Sequence, residues 1–172
     1  MDVLKRILAP LLLVVLLVAA VAAEASREYQ IKAAFLYNFM SYIEWPGPRD
    51  TWTVGLLGDD PFEGFLQKLE NKPLNGKKVV VRFVKNAKDA KGCDVLFISS
   101  SESARLDPLM ASLKGSPILT ISDIPSFVEK GGAIGFTSER NRVRFYINTE
   151  ALQQSELKAS ANLLKLAIVK GG

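Results

Sequence analysis

The sequence predicts an α/β fold: a single three-layer domain with a mostly parallel sheet that ends in an antiparallel edge hairpin, flanked by N- and C-terminal helices. Apolar runs of about five residues, each ending in small polar residues, recur between residues 53 and 137. Such runs are typical of parallel strands that helices cover on both faces. The last two runs, 133–137 and 142–148, are separated by only four polar residues, and so short a connection requires antiparallel pairing.

The N-terminal segment, residues 1–23, has the pattern of a secretory signal peptide. Lys5 and Arg6 precede a long apolar run, and an Ala-x-Ala exit follows at 20–22 or at 23–25. A retained membrane anchor is the alternative, but the small residues that crowd the end of the run favour cleavage. We therefore expect an exported, periplasmic protein whose α/β domain spans residues 26–170.

Composition excludes several functional classes. The chain has no histidine, which removes the usual general base and the commonest metal ligand, so histidine-dependent triads and ordinary zinc sites are excluded. Cys93 is the only cysteine, so no intrachain disulfide forms. The net charge of +4 comes without a basic block or aromatic ladder, which argues against nucleic acid. We predict no catalytic residue, metal or cofactor.

The first element after the signal segment is an unusually apolar helix. Its apolar residues recur every four positions, at Ile31, Phe35, Phe39 and Ile43. Lys32 is the only charged residue between Glu28 and Glu44, and Pro46 ends the helix. Such a helix must be buried, either against its own sheet or against a partner.

Strands and helices then alternate along the chain. Strands are predicted at 53–57, 78–84, 94–98 and from residue 117. A helix over 61–70 is expected to use Asp60 and Glu63 as a capping box, and a second helix is expected to use Ser99 and Glu102 in the same way. A short helix ending at Gly131 follows the strand after residue 117. The tail, 149–167, is predicted as one interrupted helix or two short ones beside the N-terminal helix.

The first candidate site lies beyond the carboxyl ends of the parallel strands, where open α/β sheets bind ligands. The residues expected side by side there are Asp59, Ser99, Ser100, Ser101 and Asp123. Serine hydroxyls and free backbone N–H groups suit a small anion or a peptide carboxylate. The alternative is that these residues are ordinary caps and turns.

Two further groups are candidates for contacting a partner. Arg142 and Arg144 alternate with apolar residues along the last predicted strand, so both point to one face, with Arg82 as a candidate third member. They suit an acidic partner or a phosphate, but charge on an edge strand also prevents unwanted pairing. The second group is aromatic and lies on and just after the N-terminal helix: Tyr37, Tyr42 and Trp45.

Several stretches in order along the chain resemble the YfiR/HmsC family of small bacterial periplasmic proteins. They are EYQIKAAFLYNF at 28–39, IEWP at 43–46, LGDDPF at 57–62, CDVLFIS at 93–99, LTISD at 119–123, GGAIGF at 131–136, NRVRFYIN at 141–148 and LLKLA at 163–167. The resemblance covers nearly the whole chain after the signal segment. Many members carry further cysteines that form disulfides, whereas Cys93 here has no partner for such a bridge.

The resemblance implies a regulator rather than an enzyme. Members of that family act as periplasmic repressors that bind the periplasmic sensor domain of an inner-membrane diguanylate cyclase, which lowers cyclic di-GMP and biofilm formation. A periplasmic small-solute-binding protein is the alternative, and an enzyme using Ser99, Ser100 or Ser101 is disfavoured because no nucleophile motif surrounds them. A homodimer and a small-molecule effector are left open as further partners.

Overall fold

A computed structural model describes residues 2–140 and 142–170. The chain begins with one long helix, α1 (Asp2–Tyr42), which runs through the predicted signal segment into the domain. The helix therefore ends before Pro46, but Ile43, which the sequence pattern places on the helix, lies instead in β1 (Ile43–Glu44), directly after it. Among the described residues, no helix combines the length and hydropathy needed to cross a bilayer.

A seven-stranded sheet forms the middle layer, with strand order β3-β2-β4-β5-β6-β7-β9. Its strands are β2 (Thr51–Leu57), β3 (Lys78–Val84), β4 (Val95–Ile98), β5 (Leu119–Ser122), β6 (Ile134–Glu139), β7 (Arg142–Asn148) and β9 (Ile168–Lys170). Every neighbouring pair is parallel except β6 and β7, which form the expected antiparallel hairpin. The predicted mostly parallel α/β fold is confirmed.

Short helices and one small strand pair complete the fold. The helices are α2 (Ala87–Ala90), α3 (Leu106–Leu113), α4 (Thr149–Gln154) and α5 (Ala161–Leu166), with 3₁₀ segments at Gln67–Asn71 and Ser100–Arg105. Between α4 and α5, β8 (Lys158–Ala159) pairs antiparallel with β1. The tail therefore contains two short helices, one of the two arrangements that the sequence predicts.

Each face of the sheet carries its own apolar core. On one face, α1 buries Leu36, Phe39 and Met40, and the ring of Phe39 lies 4.9 Å from that of Phe145. On the other face, α3 and the segment after β5 bury Leu106 and other apolar residues. The N-terminal helix is thus buried against its own sheet, although Ile31 is 39% exposed, and residue 32 takes a buried position instead.

Two of the predicted helices are wrong, because residues in the left-handed region interrupt them. Glu63 (φ 49) and Gly64 (φ 87) break the segment after Asp60 into turns. Ser126 (φ 60) lies within the segment after β5, which consists of turns up to Gly131. The capping box at Asp60 is absent as well, since its Oδ1 instead accepts a hydrogen bond from the Phe62 N–H at 2.8 Å.

The predicted capping box at Ser99 and Glu102 is also wrong. The Ser99 side chain makes no cap bond, and its backbone carbonyl accepts from the Glu102 N–H at 2.9 Å. The Glu102 carboxylate pairs with Arg105 instead. The chain therefore leaves β4 through a 3₁₀ segment before α3 begins, and α3 buries the expected stripe at Leu106, Leu109 and Leu113.

Sequence patterns missed β9, which pairs in parallel with the second half of β7, from Tyr146 to Asn148. The strand begins at Ile168, shortly after α5 ends at Leu166. The hairpin is consequently covered along half of its outer edge, and among the described residues no strand lies beside the first half of β7, from Arg142, on that side.

Candidate functional site

The carboxyl ends of β2, β4 and β5 lie next to each other, and the polar residues that follow them are therefore neighbours, as predicted. The Asp59 N–H donates to Ser101 Oγ at 2.9 Å, which connects the first two segments. Ser122 Oγ donates to the Ile98 carbonyl at 2.6 Å, which connects the second and third.

The space between the first two segments is filled by protein. Gly58 has φ +93, and a Cβ placed on it would come within 2.5 Å of Ser101 Oγ and 3.0 Å of Ser99 Cβ. Ser99 is itself buried, whereas Ser100 is exposed. A glycine here allows close backbone approach, so Asp59, Ser99 and Ser101 serve as turn and packing residues in this structure.

The polar centre of this end of the sheet is instead a buried ion cluster that joins α1 to β5. Lys32 Nζ lies 2.6 Å from Glu28 Oε1 and 2.7 Å from Asp123 Oδ2, and the Lys32 side chain is only 5% exposed. The Tyr29 hydroxyl donates to the same Asp123 oxygen at 2.7 Å. The ammonium also lies 4.2 Å from the centre of the Tyr29 ring. We call these four residues the Lys32 cluster.

The Lys32 cluster holds two carboxylates against one ammonium. Asp123 Oδ1 is buried and accepts no hydrogen bond. Burial raises the pKa of the Tyr29 hydroxyl, and its hydrogen bond to the Asp123 carboxylate raises it further. A cavity of about 510 Å³ adjoins the cluster and is also lined by Ser100 and Ser138. This end of the sheet therefore keeps Tyr29 protonated and leaves one acceptor, Asp123 Oδ1, without a hydrogen bond.

Sequence reasoning missed Lys32 and Tyr29 as members of this site. Lys32 and Asp123 are 91 positions apart, so no local pattern joins them. The signal that was present is the isolation of one charge in an apolar helix, because a buried lysine needs a carboxylate partner. Asp123, in contrast, was already a candidate through its place after a strand.

Two of the three arginines predicted to contact a partner lie together, and the third does not. Arg142 and Arg144 are exposed on β7, and neither forms an ion pair with any described residue. With Glu139 and Arg140 they line an open groove of about 740 Å³. Arg82 does not belong to this group, because it lies on β3 at the opposite edge of the sheet, where its guanidinium contacts the Asp89 carbonyl and Cys93 Sγ.

The three predicted aromatic residues have different environments. The Tyr37 hydroxyl donates to the Pro73 carbonyl at 3.0 Å, so this side chain ties α1 to a loop. Tyr42 is 43% exposed. Trp45 is half-buried against Trp52, with ring centres 4.9 Å apart in an edge-to-face arrangement.

A second ion-paired cation, Arg49, lies half-buried at the amino end of β2. Arg49 Nε donates to Asp94 Oδ1 at 2.5 Å, and Asp94 Oδ2 accepts from the Thr53 N–H at 2.8 Å. The Arg49 guanidinium lies 5.3 Å from the ring centres of both Trp45 and Trp52. Arginine stacks on aromatic faces in this way. We call the five residues the Arg49 cluster.

The sheet topology and the two ion-paired ends define a mixed α/β protein with a mostly parallel sheet. Within residues 2–140 and 142–170, no group of acidic or cysteine side chains could hold a metal ion. A family model described as YfiR/HmsC-like matches residues 29–168. The chain belongs to the YfiR/HmsC-like family, whose members are periplasmic regulators and are not known as enzymes.

Two solved structures are similar in fold. One is a conserved domain protein from Vibrio cholerae O1 biovar El Tor, with a TM-score of 0.59, 11% sequence identity and coverage of 83% of this chain. The chain spans 60% of the length of that protein, and the likeness shows the fold alone. The other is the ABC domain from Streptococcus pneumoniae in complex with L-Trp, at 13% identity, with 69% of this chain and 54% of that one covered. Its TM-score of 0.49 is too low to support a conclusion.

Proposed function

We propose that the protein is a periplasmic regulator that binds the periplasmic sensor domain of an inner-membrane diguanylate cyclase and holds the enzyme inactive. The observation that carries this proposal is the family match, which extends from the middle of α1 to the start of β9. Repression of the cyclase lowers cyclic di-GMP in the cell and so reduces biofilm formation.

The surface that best suits such a partner is formed by β7, the turn before it and the adjoining side of α1. Arg140, Arg142 and Arg144 are exposed there. A neighbouring groove of about 700 Å³ is lined by Ile31 and Phe35 of α1 and also by Arg142. Ile31 is exposed and Phe35 is half-buried, and apolar side chains beside arginines that form no ion pair with a described residue suit a protein surface of mixed apolar and acidic character.

The open half of the β7 edge supports the same surface. Among the residues that the structure describes, none forms a strand beside β7 on its outer side from Arg142 to Phe145, because β9 begins opposite Tyr146. An exposed edge offers backbone donors and acceptors to an extended segment of a partner, and the arginines would select an acidic one.

The test combines binding with a cellular readout. The domain from residue 26 onward is mixed with the periplasmic domain of a diguanylate cyclase from the same genome, and the dissociation constant is measured by calorimetry. Cyclic di-GMP is measured in cells with and without the gene. We expect a specific complex and a rise in cyclic di-GMP on deletion. No complex with any such domain, together with unchanged cyclic di-GMP, would overturn the proposal.

Charge reversal locates the surface. Arg142→Glu combined with Arg144→Glu should weaken the complex by about 100-fold, since each lost charge-assisted contact is worth roughly tenfold or more. Lys78→Glu is the matched control, because Lys78 is an exposed cation on β3, at the opposite edge of the sheet. An equal loss in the control would show that the effect is one of net charge and would remove β7 from the interface.

The small-solute receptor receives less support. Receptors of that kind close two lobes over a ligand, whereas the described residues build one seven-stranded sheet and a two-stranded accessory pair.

A further inference from the structure

The Arg49 cluster contains two indole N–H groups without acceptors. Trp45 Nε1 and Trp52 Nε1 are both buried and make no hydrogen bond. Trp52 as a whole is only 7% exposed. Buried indole N–H groups ordinarily find an acceptor, so two orphaned donors in one cluster call for an explanation at this place in the molecule.

The neighbouring groups do not supply the missing acceptors. A pair of rings in an edge-to-face arrangement has one edge and one face, so at most one of the two N–H groups can point at the other ring. The guanidinium of Arg49, which lies over both rings, has only donors. The carbonyls of Pro46 and Gly47 already accept from Arg49 Nη1, at 3.3 and 3.1 Å.

The cavity beside this cluster is electropositive. It has a volume of about 250 Å³, and its lining includes both tryptophans, Arg49 and Lys77 but no aspartate or glutamate. Asp94 balances the charge of Arg49 from outside the lining. Lys77 forms no ion pair with any described residue. Two backbone hydrogen bonds to Leu74 fix the main chain of Lys77 at the edge of the cavity that this residue lines.

We infer that this cavity binds a carboxylate group, which Lys77 neutralises and which accepts hydrogen bonds from the indole N–H groups of Trp45 and Trp52. A carboxylate is the matching chemistry because its two oxygens accept about four hydrogen bonds and it carries the missing negative charge. Both N–H groups are buried in this structure, so the inference includes a rotation of the two indole side chains, which line the cavity, toward the ligand. The group is supplied either by a free small carboxylic acid or by an acidic side chain of a partner protein.

This site is separate from the β7 surface and does not depend on the proposed function. It lies at the amino end of β2, between the end of α1 and the turn that precedes β3, where the lining also includes Met40 and Asn75. It also gives a role to the tryptophan of the IEWP stretch, residues 43–46, beyond the packing of α1.

Trp45 and Trp52 are the only tryptophans in the chain, so tryptophan fluorescence, excited selectively over tyrosine, reports on this site alone. The full domain is titrated with sodium acetate, and separately with a blocked tripeptide that carries one glutamate, both at constant ionic strength against sodium chloride. We expect a saturable change in tryptophan emission with a carboxylate and none with chloride. Saturation by acetate indicates a free acid, whereas saturation by the peptide alone indicates a side chain of a partner.

Two lysine variants separate recognition from general charge. Lys77→Gln should weaken carboxylate binding about tenfold, the loss of one charge-assisted contact. Lys78→Gln removes the same charge from the next residue, which does not line the cavity, and should leave binding unchanged. Thermal melts of both variants confirm folding. Equal weakening in the two variants, or an emission change that chloride reproduces, or no change with either carboxylate, would overturn the inference.

Discussion

The Lys32 cluster and the Arg49 cluster each hold one ion-paired cation, at opposite ends of the parallel sheet, but they satisfy it in different ways. Lys32 is held by two carboxylates, and its ammonium lies 4.2 Å from the centre of the Tyr29 ring and 5.8 Å from that of the Phe136 ring. Arg49 is held by one carboxylate, two backbone carbonyls and two tryptophan rings. The first cluster leaves an acceptor unused, on Asp123, and the second leaves two donors unused.

The difference follows from the chemistry of the two side chains. An ammonium is a compact point charge and needs carboxylates close to it when it is buried, whereas a planar guanidinium also stacks on aromatic faces. The Lys32 cluster therefore fastens α1 to the end of β5, and it already holds one carboxylate more than it has cations, so it calls for no further anion. In the Arg49 cluster the available acceptors bind the arginine, so both indole N–H groups are left to bind a group from outside the chain.

The largest effect is expected when the Lys32 cluster loses its cation. Lys32→Met leaves Asp123 and Glu28 without compensation, and breaking a buried pair in this way costs about 3–5 kcal/mol. The free energy of unfolding is measured from urea titrations. Lys72→Met, at an exposed lysine, is the control and should change it by less than about 0.5 kcal/mol. A loss at Lys32 no larger than that of the control would mean that the cluster does not hold α1.

A smaller effect is expected at the Arg49 cluster. Arg49→Met should cost about 1.5–3 kcal/mol, the range for hydrogen bonds to charged groups. The loss is smaller than at Lys32 because only one carboxylate, that of Asp94, loses its partner, and because the Arg49 side chain is 15% exposed, against 5% for Lys32. The same urea titrations measure it. If this variant proves less stable than Lys32→Met, the two ends have been ranked in the wrong order.

Tyr29 allows the Lys32 cluster to be tested by pH. Tyr29→Phe removes one hydrogen bond to Asp123 and should cost about 1 kcal/mol at neutral pH. Because the pKa of Tyr29 is raised on folding, its contribution is fully present below the ordinary tyrosine pKa near 10 and decreases as the pH rises above it. Unfolding free energies measured between pH 8 and pH 11 should therefore fall more steeply in the wild type. Parallel curves for the two proteins would contradict the raised pKa.

The smallest effect is expected at the serine turn. Ser101→Ala removes the acceptor of the Asp59 N–H, an exposed hydrogen bond, and should cost about 0.5 kcal/mol. Repression of the cyclase, measured as cellular cyclic di-GMP, should be unchanged. If the variant lost repression but kept its stability, Ser101 would have to be a binding residue and not only a turn residue.

The strands were predictable because each is an apolar run that local composition defines. The run at 78–84 is β3 residue for residue, and the hairpin followed from a four-residue connection. The helix after Asp60 was not predictable, because Glu63 has a positive φ that no rule of composition assigns to glutamate. β9 is only three residues long and follows directly on a helix, too short for a periodic pattern.

The candidate sites were predictable only where chain order determines position. Asp59, Ser101 and Asp123 follow neighbouring strands, so their proximity followed from the topology. The pairing of Lys32 with Asp123 depends on how α1 docks on the sheet, which the sequence does not express locally. The prediction that Arg82 lies beside Arg142 and Arg144 was wrong. Its position at the far edge of the sheet depends on the order of the strands, which their sequence patterns do not show.

The continuity of α1 has a consequence for maturation of the polypeptide. The predicted signal peptidase cut, after residue 22 or 25, falls inside an unbroken helix, one or two turns before Glu28. If a leader is cut there, this stretch would have to be extended while the protease acts on it. The cut would then create a new helix start near Glu28, where a carboxylate interacts favourably with the free backbone N–H groups and the helix dipole. Glu28, which pairs with Lys32, would thus interact with the end of a helix dipole in the mature protein but not in the precursor.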